Sequence, residues 1–256
     1  MSLGLDSNWT LRIVFWLSVS ISILIMKAIS AYKTQLPDNG FWLTPVCAVE
    51  SWNRSPPATP SDWRLFVGKA FASLLALTTA YLAFRKVSNA VDARGWLLSY
   101  LAVPILVVFE LSGDAVRFLC LATGKVIPNV HNHLLRSSNI SDFWRRYNVW
   151  VSEWFYHIVF KPLRRSAILA SFAVFLFSGI WHELLVNVPL LMIFHVNMIG
   201  SMLGYFLFQW FAVVIDRSIF SRTTPGRRLF AYAAIIGPAP LILNEGLLRI
   251  FGWWRA

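Results

Sequence analysis

The sequence predicts an all-α, polytopic integral membrane protein: a bundle of about six to eight spanning or re-entrant helices plus an interfacial amphipathic helix. Of 256 residues, 57% are hydrophobic and 14% are charged, whereas roughly 25% are charged in an average soluble domain. The apolar residues also cluster, and most clusters are as long as the roughly 20 residues that a spanning helix needs. The clusters are 11–32, 66–84, 96–123, 167–188, 190–215 and 228–251.

The net charge of the chain is +11, from 23 Lys and Arg against 12 Asp and Glu. In a soluble protein such an excess would suggest nucleic-acid binding. Here the basic residues lie between the apolar clusters, in 85–95, 161–165 and 216–228, which is typical of positive charge kept on the cytoplasmic side of a membrane. We therefore expect a lipid bilayer and no nucleic acid as partner. Binding of an anionic, phosphorylated substrate is the alternative use of this charge.

The first apolar cluster predicts a retained helix, because no basic cluster and no small-residue cleavage pattern accompany it. Residues 34–64 are polar, rich in Pro and Trp and nearly balanced in charge, which predicts the non-cytoplasmic side. After the second cluster, the basic stretch 85–95 predicts a return to the cytoplasmic side.

The cluster 96–123 contains residues that are unusual in a lipid-facing helix, namely Pro104, Glu110, Asp114 and Arg117. Both of its flanks are basic, so keeping both cytoplasmic requires the chain to fold back as a hairpin or two short helices. The three charged residues have the spacing of one helix face. We expect them to neutralise each other as a structural cluster, and a polar tunnel lining is the alternative.

The clusters 167–188 and 190–215 are predicted to join at Pro189, and the basic loop 216–228 returns the chain to the cytoplasmic side. Within the second of these clusters, Gly200 and Gly204 form a small-xxx-small pair that permits close helix packing. The last cluster is interrupted by Gly237, Pro238 and Pro240. We expect one transmembrane domain over 1–256, with its motif-bearing core at about 137–215.

An amphipathic helix is predicted to begin in the segment Ser141-Asp142-Phe143-Trp144-Arg145-Arg146-Tyr147-Asn148. Ser141 or Asp142 can cap its start, and an apolar stripe follows at spacings of three and four. The stripe is Trp144, Tyr147, Val151, Trp154 and Ile158. This helix is too polar to span and suits an interfacial or re-entrant position. Its basic face can meet lipid head groups or the phosphates of a nucleotide-bearing donor, or it can serve only as an anchor.

The pair His182-Glu183 lies in an otherwise apolar stretch, where it is costly unless it faces a protein interior or a water-filled cavity. Neutral imidazole is a suitable general base for a hydroxyl, because its pKa lies near operating pH. Glu183 points about 100° away from His182 on a helix, so we expect another helix to orient the imidazole. The structural alternative is a histidine that only packs helices. For His195 we favour this interpretation.

Other catalytic patterns are missing from the chain. No histidine is followed five residues later by an aspartate, and neither a Gly-x-Ser-x-Gly elbow nor a Gly-x4-Gly-Lys loop occurs. Cys47 and Cys120 are the only cysteines, and neither a disulfide nor a metal cluster is expected. His131 and His133 make a weak metal hypothesis, so we predict no metal.

In the segment 141–148 and the His182-Glu183 stretch, the sequence resembles the membrane-bound O-acyltransferase (MBOAT) superfamily, and within it the wax-synthase-like branch. Family members show a DFW-x-R-x-W-N stretch, to which 142–148 (DFWRRYN) is similar although one position shorter, and one helix later an SG-x-x-HE stretch, matched by 178–183. The match covers roughly residues 137–190. Two departures are Tyr147, where the family has tryptophan, and the short chain, which prevents copying the acceptor cavity of larger members.

The resemblance implies transfer of an acyl group from acyl-CoA, used as donor substrate with no permanently bound cofactor, to a hydroxyl acceptor. It assigns His182 as the base and Asn148 as a residue that orients substrate or stabilises the oxyanion. It also implies a tunnel in which donor and acceptor meet. We assign the neighbouring motif residues to substrate binding: Asp142, Trp144, Arg145, Arg146, Trp181 and Glu183.

The function predicted from the sequence is a wax-ester-synthase-like O-acyltransferase with a hydrophobic acceptor, in a cell membrane or a membrane of the endoplasmic-reticulum type. One alternative is O-acetylation of a cell-surface glycan or a secondary metabolite. An alternative from another class is a non-catalytic bundle, similar to a transporter or receptor, in which His182 only packs helices.

Overall fold

The computed structural model describes residues 7–34, 36–220 and 226–254, and this part of the chain forms helices and no β-strand. The predicted all-α class is confirmed. The α-helices are α1 (Ser7–Lys33), α2 (Asn39–Trp42), α3 (Val49–Asn53), α4 (Pro60–Ala90), α5 (Gly95–Leu111), α6 (Val116–Cys120), α7 (Ile140–Arg146), α8 (Val149–Phe155), α9 (Ala167–His182), α10 (Val188–Phe194), α11 (Ser201–Ile219), α12 (Arg227–Ile236), α13 (Ala239–Ile242) and α14 (Glu245–Ile250). Short 3-10 helices occupy Ser112–Ala115, Leu121–Thr123 and Leu134–Arg136, and π-helical turns occupy Tyr156–Phe160 and Glu183–Asn187.

Five helical segments of the described chain are long and apolar enough to cross a membrane. They are Ser7–Lys33, Pro60–Ala90, Gly95–Thr123, Ala167–Phe194 and Ser201–Ile219. These segments confirm a multi-pass integral membrane protein. Part of the loop predicted over 216–228, residues 221–225, lies outside the described residues.

The predicted fold-back of 96–123 is wrong, because α5, a 3-10 turn, α6 and a second 3-10 turn form one continuous helical segment. Its far end lies beside the start of α4, where Pro57 forms a β-bridge with Lys125. The loop between α4 and α5 is therefore at the opposite end of the two segments. The continuous path is possible because the polar groups are satisfied inside the protein; for example, the hydroxyl of Ser112 donates to the carbonyl of Val108 at 2.7 Å.

The predicted junction at Pro189 is also wrong. The helix continues through a π turn, Glu183–Asn187, into α10, and Pro189 lies just after that turn without ending the helix. The chain breaks instead at His195, which adopts φ 56° at the end of α10. His195 is exposed there, so it does not pack helices as predicted.

The segment from α12 to α14 crosses the bundle as a broken path. Near one end, Tyr232 donates to the carbonyl of Leu135 at 2.8 Å, and at the other end Arg249 donates to Asn8 at 3.3 Å. Breaks at 237–238 and 243–244 separate the three helices, as Gly237 and Pro238 predicted. The carbonyl of Gly237 accepts from Tyr100 at 2.6 Å, which satisfies one group freed by the break.

The predicted single amphipathic helix is two helices, α7 and α8, because Asn148 adopts φ 40° between them. The capping residue is Asn139, whose side chain accepts from the N–H of Asp142, so the predicted caps at Ser141 or Asp142 are wrong. Trp144 on α7 donates to Gln209 on α11 at 3.4 Å. Since Gln209 lies near the middle of the apolar segment α11, this contact places Trp144 at mid-length of a candidate span, which favours the re-entrant position over the interfacial one for α7.

The segment 36–59 folds back against α1. Lys27 of α1 is completely buried, and its ammonium group donates to the carbonyls of Phe41 (2.6 Å) and Thr44. On the same helix, the hydroxyl of Ser30 accepts from the N–H of Val49 at 3.0 Å. Two polar side chains of α1, Lys27 and Ser30, are thus satisfied by the residues that directly follow the helix.

Candidate active site

The imidazole of His182 lies at the end of α9, at mid-length of an apolar segment, and its Nδ1 is 2.7 Å from the carbonyl oxygen of Ser178. A carbonyl oxygen only accepts, so Nδ1 carries the proton and Nε2 has a free lone pair. The expectation that another helix orients the ring is wrong, since Ser178 is one turn earlier on the same helix. The geometry leaves Nε2 suited to accept a proton.

One face of the imidazole is covered by Phe206 of α11, with ring centroids 4.6 Å apart. Gly179 permits this contact, because a Cβ there would lie 3.0 Å from the Cα of Leu203 and 3.3 Å from the Cβ of Phe206. The close approach of helices therefore occurs at Gly179. At Gly204, where the sequence suggested it, a Cβ would meet no atom within 4 Å.

Glu183 is buried and directed into the protein rather than toward the imidazole. One carboxylate oxygen accepts from the N–H of Leu203 in the first turn of α11 at 2.9 Å, and the other from Asn187 at 2.7 Å. Asn187 in turn accepts from Asn244 at 2.8 Å and donates to Ser201 at 3.0 Å. Glu183 thus joins the π turn to α11 and to the residues before α14, while its predicted role in substrate binding stays a prediction.

Asp142 of α7 holds the two arginines of the first motif. Its Oδ1 accepts from Arg145 at 2.6 Å and from Arg146 at 2.9 Å, and its Oδ2 from the N–H of Ser138 at 3.1 Å. Burial alone would raise the pKa of Asp142, but these hydrogen bonds outweigh it and hold the pKa below its usual range. The side chain of Arg145 is 77% exposed and that of Arg146 is 25% exposed, so a ligand can reach Arg145 while the Asp142 pair stays formed.

Asn148 links the first motif to a buried histidine. Its amide oxygen accepts from the N–H of Val151 at 3.4 Å, and its backbone N–H donates to Nδ1 of His131 at 3.1 Å. Because the amide oxygen is the acceptor, the amide NH₂ is the remaining group, and it has no hydrogen-bond partner among the described residues. That NH₂ group can donate to an oxyanion.

Glu110 is the residue that sequence reasoning did not connect to the site. Its carboxylate accepts from the hydroxyl of Tyr147 at 2.8 Å and contacts Nε2 of His131 at 2.8 Å. Arg117 donates to the carbonyl of Ile127 at 2.8 Å and to Asn129, whereas the ion-pair contact of Glu110 is with His131. The predicted mutual neutralisation of Glu110, Asp114 and Arg117 stays a prediction as a whole. The side chain of Asp114 lies outside what the structure describes. The available signal in the sequence was the carboxylate of Glu110 itself, because a charged side chain in an apolar segment is costly unless it has a function or a partner.

Tyr147 completes this hydrogen-bonded group. Burial, together with the charge of Glu110, raises the pKa of its hydroxyl well above the usual range, so the hydroxyl stays protonated and donates. Tyr147, which stands where the family has tryptophan, therefore binds Glu110 as a hydrogen-bond donor. His131 is committed to Glu110 and Asn148, and the described residues include no group of three His, Cys, Asp or Glu side chains arranged to hold a metal.

Aromatic rings connect the two motifs. Trp144 of α7 contacts Tyr147 (5.5 Å between centroids) and Phe206 (5.8 Å), and Phe206 contacts His182. Trp181 lies on another side of α9, stacked on Phe177 at 5.3 Å. The structure thus brings Trp144 and Tyr147 into one aromatic group with His182, and Asn148 is linked to this group through His131 and Glu110. A substrate contact by Trp181 remains a prediction.

Residues 63–244 match the model of the MBOAT, membrane-bound O-acyltransferase family. A similar protein is Diacylglycerol O-acyltransferase 1 of Dictyostelium discoideum, which is 24% identical over 125 residues. That alignment covers 46% of this chain and 19% of the relative, so the chain matches about a fifth of the relative's length.

Proposed function

Since the chain belongs to the membrane-bound O-acyltransferase family, we propose that it transfers an acyl group from acyl-CoA to the hydroxyl of a hydrophobic acceptor, with His182 as the general base. The observation that carries this proposal is the hydrogen bond from Nδ1 of His182 to the Ser178 carbonyl. It fixes the tautomer in which Nε2 is free to take a proton.

In the proposed reaction, Nε2 of His182 removes the proton of the acceptor hydroxyl while the hydroxyl oxygen attacks the carbonyl carbon of the thioester. A C–O bond forms, and the carbonyl oxygen becomes an oxyanion that the amide NH₂ of Asn148 stabilises by donation. Collapse of this intermediate breaks the C–S bond, and the coenzyme A sulfur leaves with the proton from Nε2. The products are an ester and free coenzyme A.

Two acceptors are supported by different observations. The resemblance of the two motifs to the wax-synthase-like branch favours a long-chain alcohol. The similarity to a diacylglycerol O-acyltransferase favours diacylglycerol. Both acceptors are apolar molecules with one hydroxyl, and both would reach His182 from the lipid phase. The exposed guanidinium of Arg145 is a suitable contact for the phosphates of acyl-CoA.

The test uses the full chain in lipid nanodiscs with radiolabelled long-chain acyl-CoA and a panel of acceptors: a fatty alcohol, diacylglycerol, a sterol and a glycan. We expect label in a fatty-alcohol ester or in triacylglycerol, and a loss of at least roughly 100-fold in the His182→Ala variant. His157→Ala is the matched control, because His157 contacts Glu50 at 3.3 Å away from the site, and it should keep its rate.

Two results would refute the proposal. Full acyl transfer by folded His182→Ala would remove the catalytic role of His182. Transfer to the glycan alone, or to no acceptor at all, would favour the glycan acetyltransferase or the non-catalytic bundle.

A further inference from the structure

We propose that Glu110 is a positioning residue for His182: its carboxylate stabilises the imidazolium that forms when His182 takes the acceptor proton. The inference rests on the proposed function. It concerns a residue outside both sequence motifs, on the segment from α5 to α6.

The hydrogen bonds around Glu110 show that it carries an uncompensated negative charge. Nδ1 of His131 accepts from the backbone N–H of Asn148, so it has no proton, and His131 is the neutral tautomer that donates from Nε2 to Glu110. Tyr147 also donates to the carboxylate. Within the described part of the chain, the ion-pair contact of Glu110 is with His131 alone, so no permanent cation neutralises it there.

A short path of contacts joins Glu110 to His182. The carboxylate binds the hydroxyl of Tyr147, the ring of Tyr147 contacts Trp144 at 5.5 Å, and Trp144 and His182 both contact Phe206, at 5.8 Å and 4.6 Å. The other carboxylate near His182 is that of Glu183, whose oxygens are bound by Asn187 and Leu203. The two side chains also lie at similar depth. Counting about 1.5 Å per residue, Glu110 is roughly 22 Å along its segment from Gly95, and His182 is roughly 18 Å from the matching end of its own segment at Phe194.

The arrangement favours the charged product of proton transfer over the neutral reactant. Before the reaction His182 is neutral and its interaction with Glu110 is weak. After the transfer a cation stands in an apolar region, where a nearby carboxylate is worth far more than in water. Tyr147 and His131 hold that carboxylate in place, which removes the need for it to reorient during the reaction.

The experiment compares steady-state kinetics of Glu110→Gln, Glu110→Asp and Glu153→Gln in nanodiscs. Glutamine keeps the size of the side chain and removes the charge, so kcat should fall roughly 10- to 100-fold while KM for donor and acceptor stays within about threefold. Aspartate keeps the charge on a shorter stem and should give a kcat between those of Glu110→Gln and the wild type. Glu153, which accepts from Arg54 at 2.8 Å away from the site, is the matched carboxylate and should keep the wild-type kcat.

The outcomes separate the possibilities. Wild-type kcat in Glu110→Gln, a rise in KM at constant kcat, or equal losses in the glutamine and aspartate variants would overturn the role of the charge. If Glu110→Gln yields no monodisperse protein, Glu110→Asp carries the test, and a loss of kcat of roughly 100-fold or more there, although the charge is kept, overturns the inference. Retained transfer by His182→Ala would instead refute the proposed function itself.

Discussion

The imidazole of His182 is oriented by a carbonyl oxygen four residues earlier in its own helix. The sequence singled out His182 as the candidate base, because a polar pair in an apolar stretch is costly. The sequence was not sufficient to identify the hydrogen-bond partners of Glu110. Helical spacing grouped it with Asp114 and Arg117, whereas its observed partners, His131 and Tyr147, lie 21 and 37 residues away. Such long-range pairs leave no periodic signal in one sequence.

At the same scale, Asp142 should make stability depend on pH. Its folded pKa lies below the usual range, so its contribution is complete above the unfolded pKa of about 3.9 and is lost as the pH falls through the folded value. Asp142→Asn should destabilise the protein by about 1–3 kcal/mol at pH 7, and by less as the pH approaches 3. Thermal unfolding in detergent, followed across this pH range, measures the difference.

The matched control is Asp92→Asn. Asp92 pairs with Arg94 at 3.4 Å, but both side chains are 68% exposed, and exposed pairs contribute little. A loss for Asp142→Asn that is as large at pH 3 as at pH 7 would show that its charge is not the source of the stabilisation.

Among the elements, the contact between α9 and α11 depends on Gly179. Gly179→Ala places a methyl group 3.0 Å from the backbone of Leu203, so the helices must separate and the Phe206 contact of His182 must change. We expect a loss of about 1–3 kcal/mol from overpacking, which exceeds the roughly 1 kcal/mol gained in helix propensity, together with slower acyl transfer. Unfolding in detergent and initial rates check both effects.

Gly204→Ala on α11 is the control for that substitution. It meets open space and should be neutral or stabilising by up to about 1 kcal/mol. If Gly179→Ala were as stable as Gly204→Ala, the close contact of α9 and α11 at Gly179 would not contribute to the stability of the fold.

The boundaries of the elements were the least predictable part of the fold. A proline commonly marks a helix end, but Pro189 lies just after a π turn inside a helical segment that continues to Phe194. The apolar stripe that suggested one amphipathic helix packs in two different places: Trp144 joins one core cluster, whereas Val151, Trp154 and Ile158 join another. The left-handed conformation of Asn148 between them leaves no trace in the sequence spacing.

For the whole molecule, the continuous segment from α5 to α6 fixes the topology. The loops 85–94 and 124–166 lie at opposite ends of it, and the second shares its end with 36–59 through the Pro57 bridge. Most basic loop residues are at this second end, including those of 161–165. By the positive-inside rule we expect this end, including 36–59, on the cytoplasmic side, which reverses the orientation predicted from the local charge of 34–64.

Cysteine labelling tests this topology. In sealed vesicles of uniform orientation, Asn89→Cys and Arg164→Cys should react with a membrane-impermeant maleimide from opposite sides, and both should react after detergent is added. The native thiols give little background, because both are buried and burial raises the pKa of Cys47 to about 12. The wild-type chain is the control. Labelling of both introduced cysteines from one side would contradict the continuous segment.

The burial of Lys27 has a consequence for biosynthesis. A lysine inside a spanning helix opposes insertion by roughly 2.5–3.5 kcal/mol at the helix centre, and its hydrogen-bond acceptors here, the carbonyls of Phe41 and Thr44, are synthesised 14 and 17 residues later. The first helix therefore reaches its final depth only after those residues have left the ribosome and wrapped back. Insertion of this helix and folding of the following segment are one event, ordered by the direction of translation.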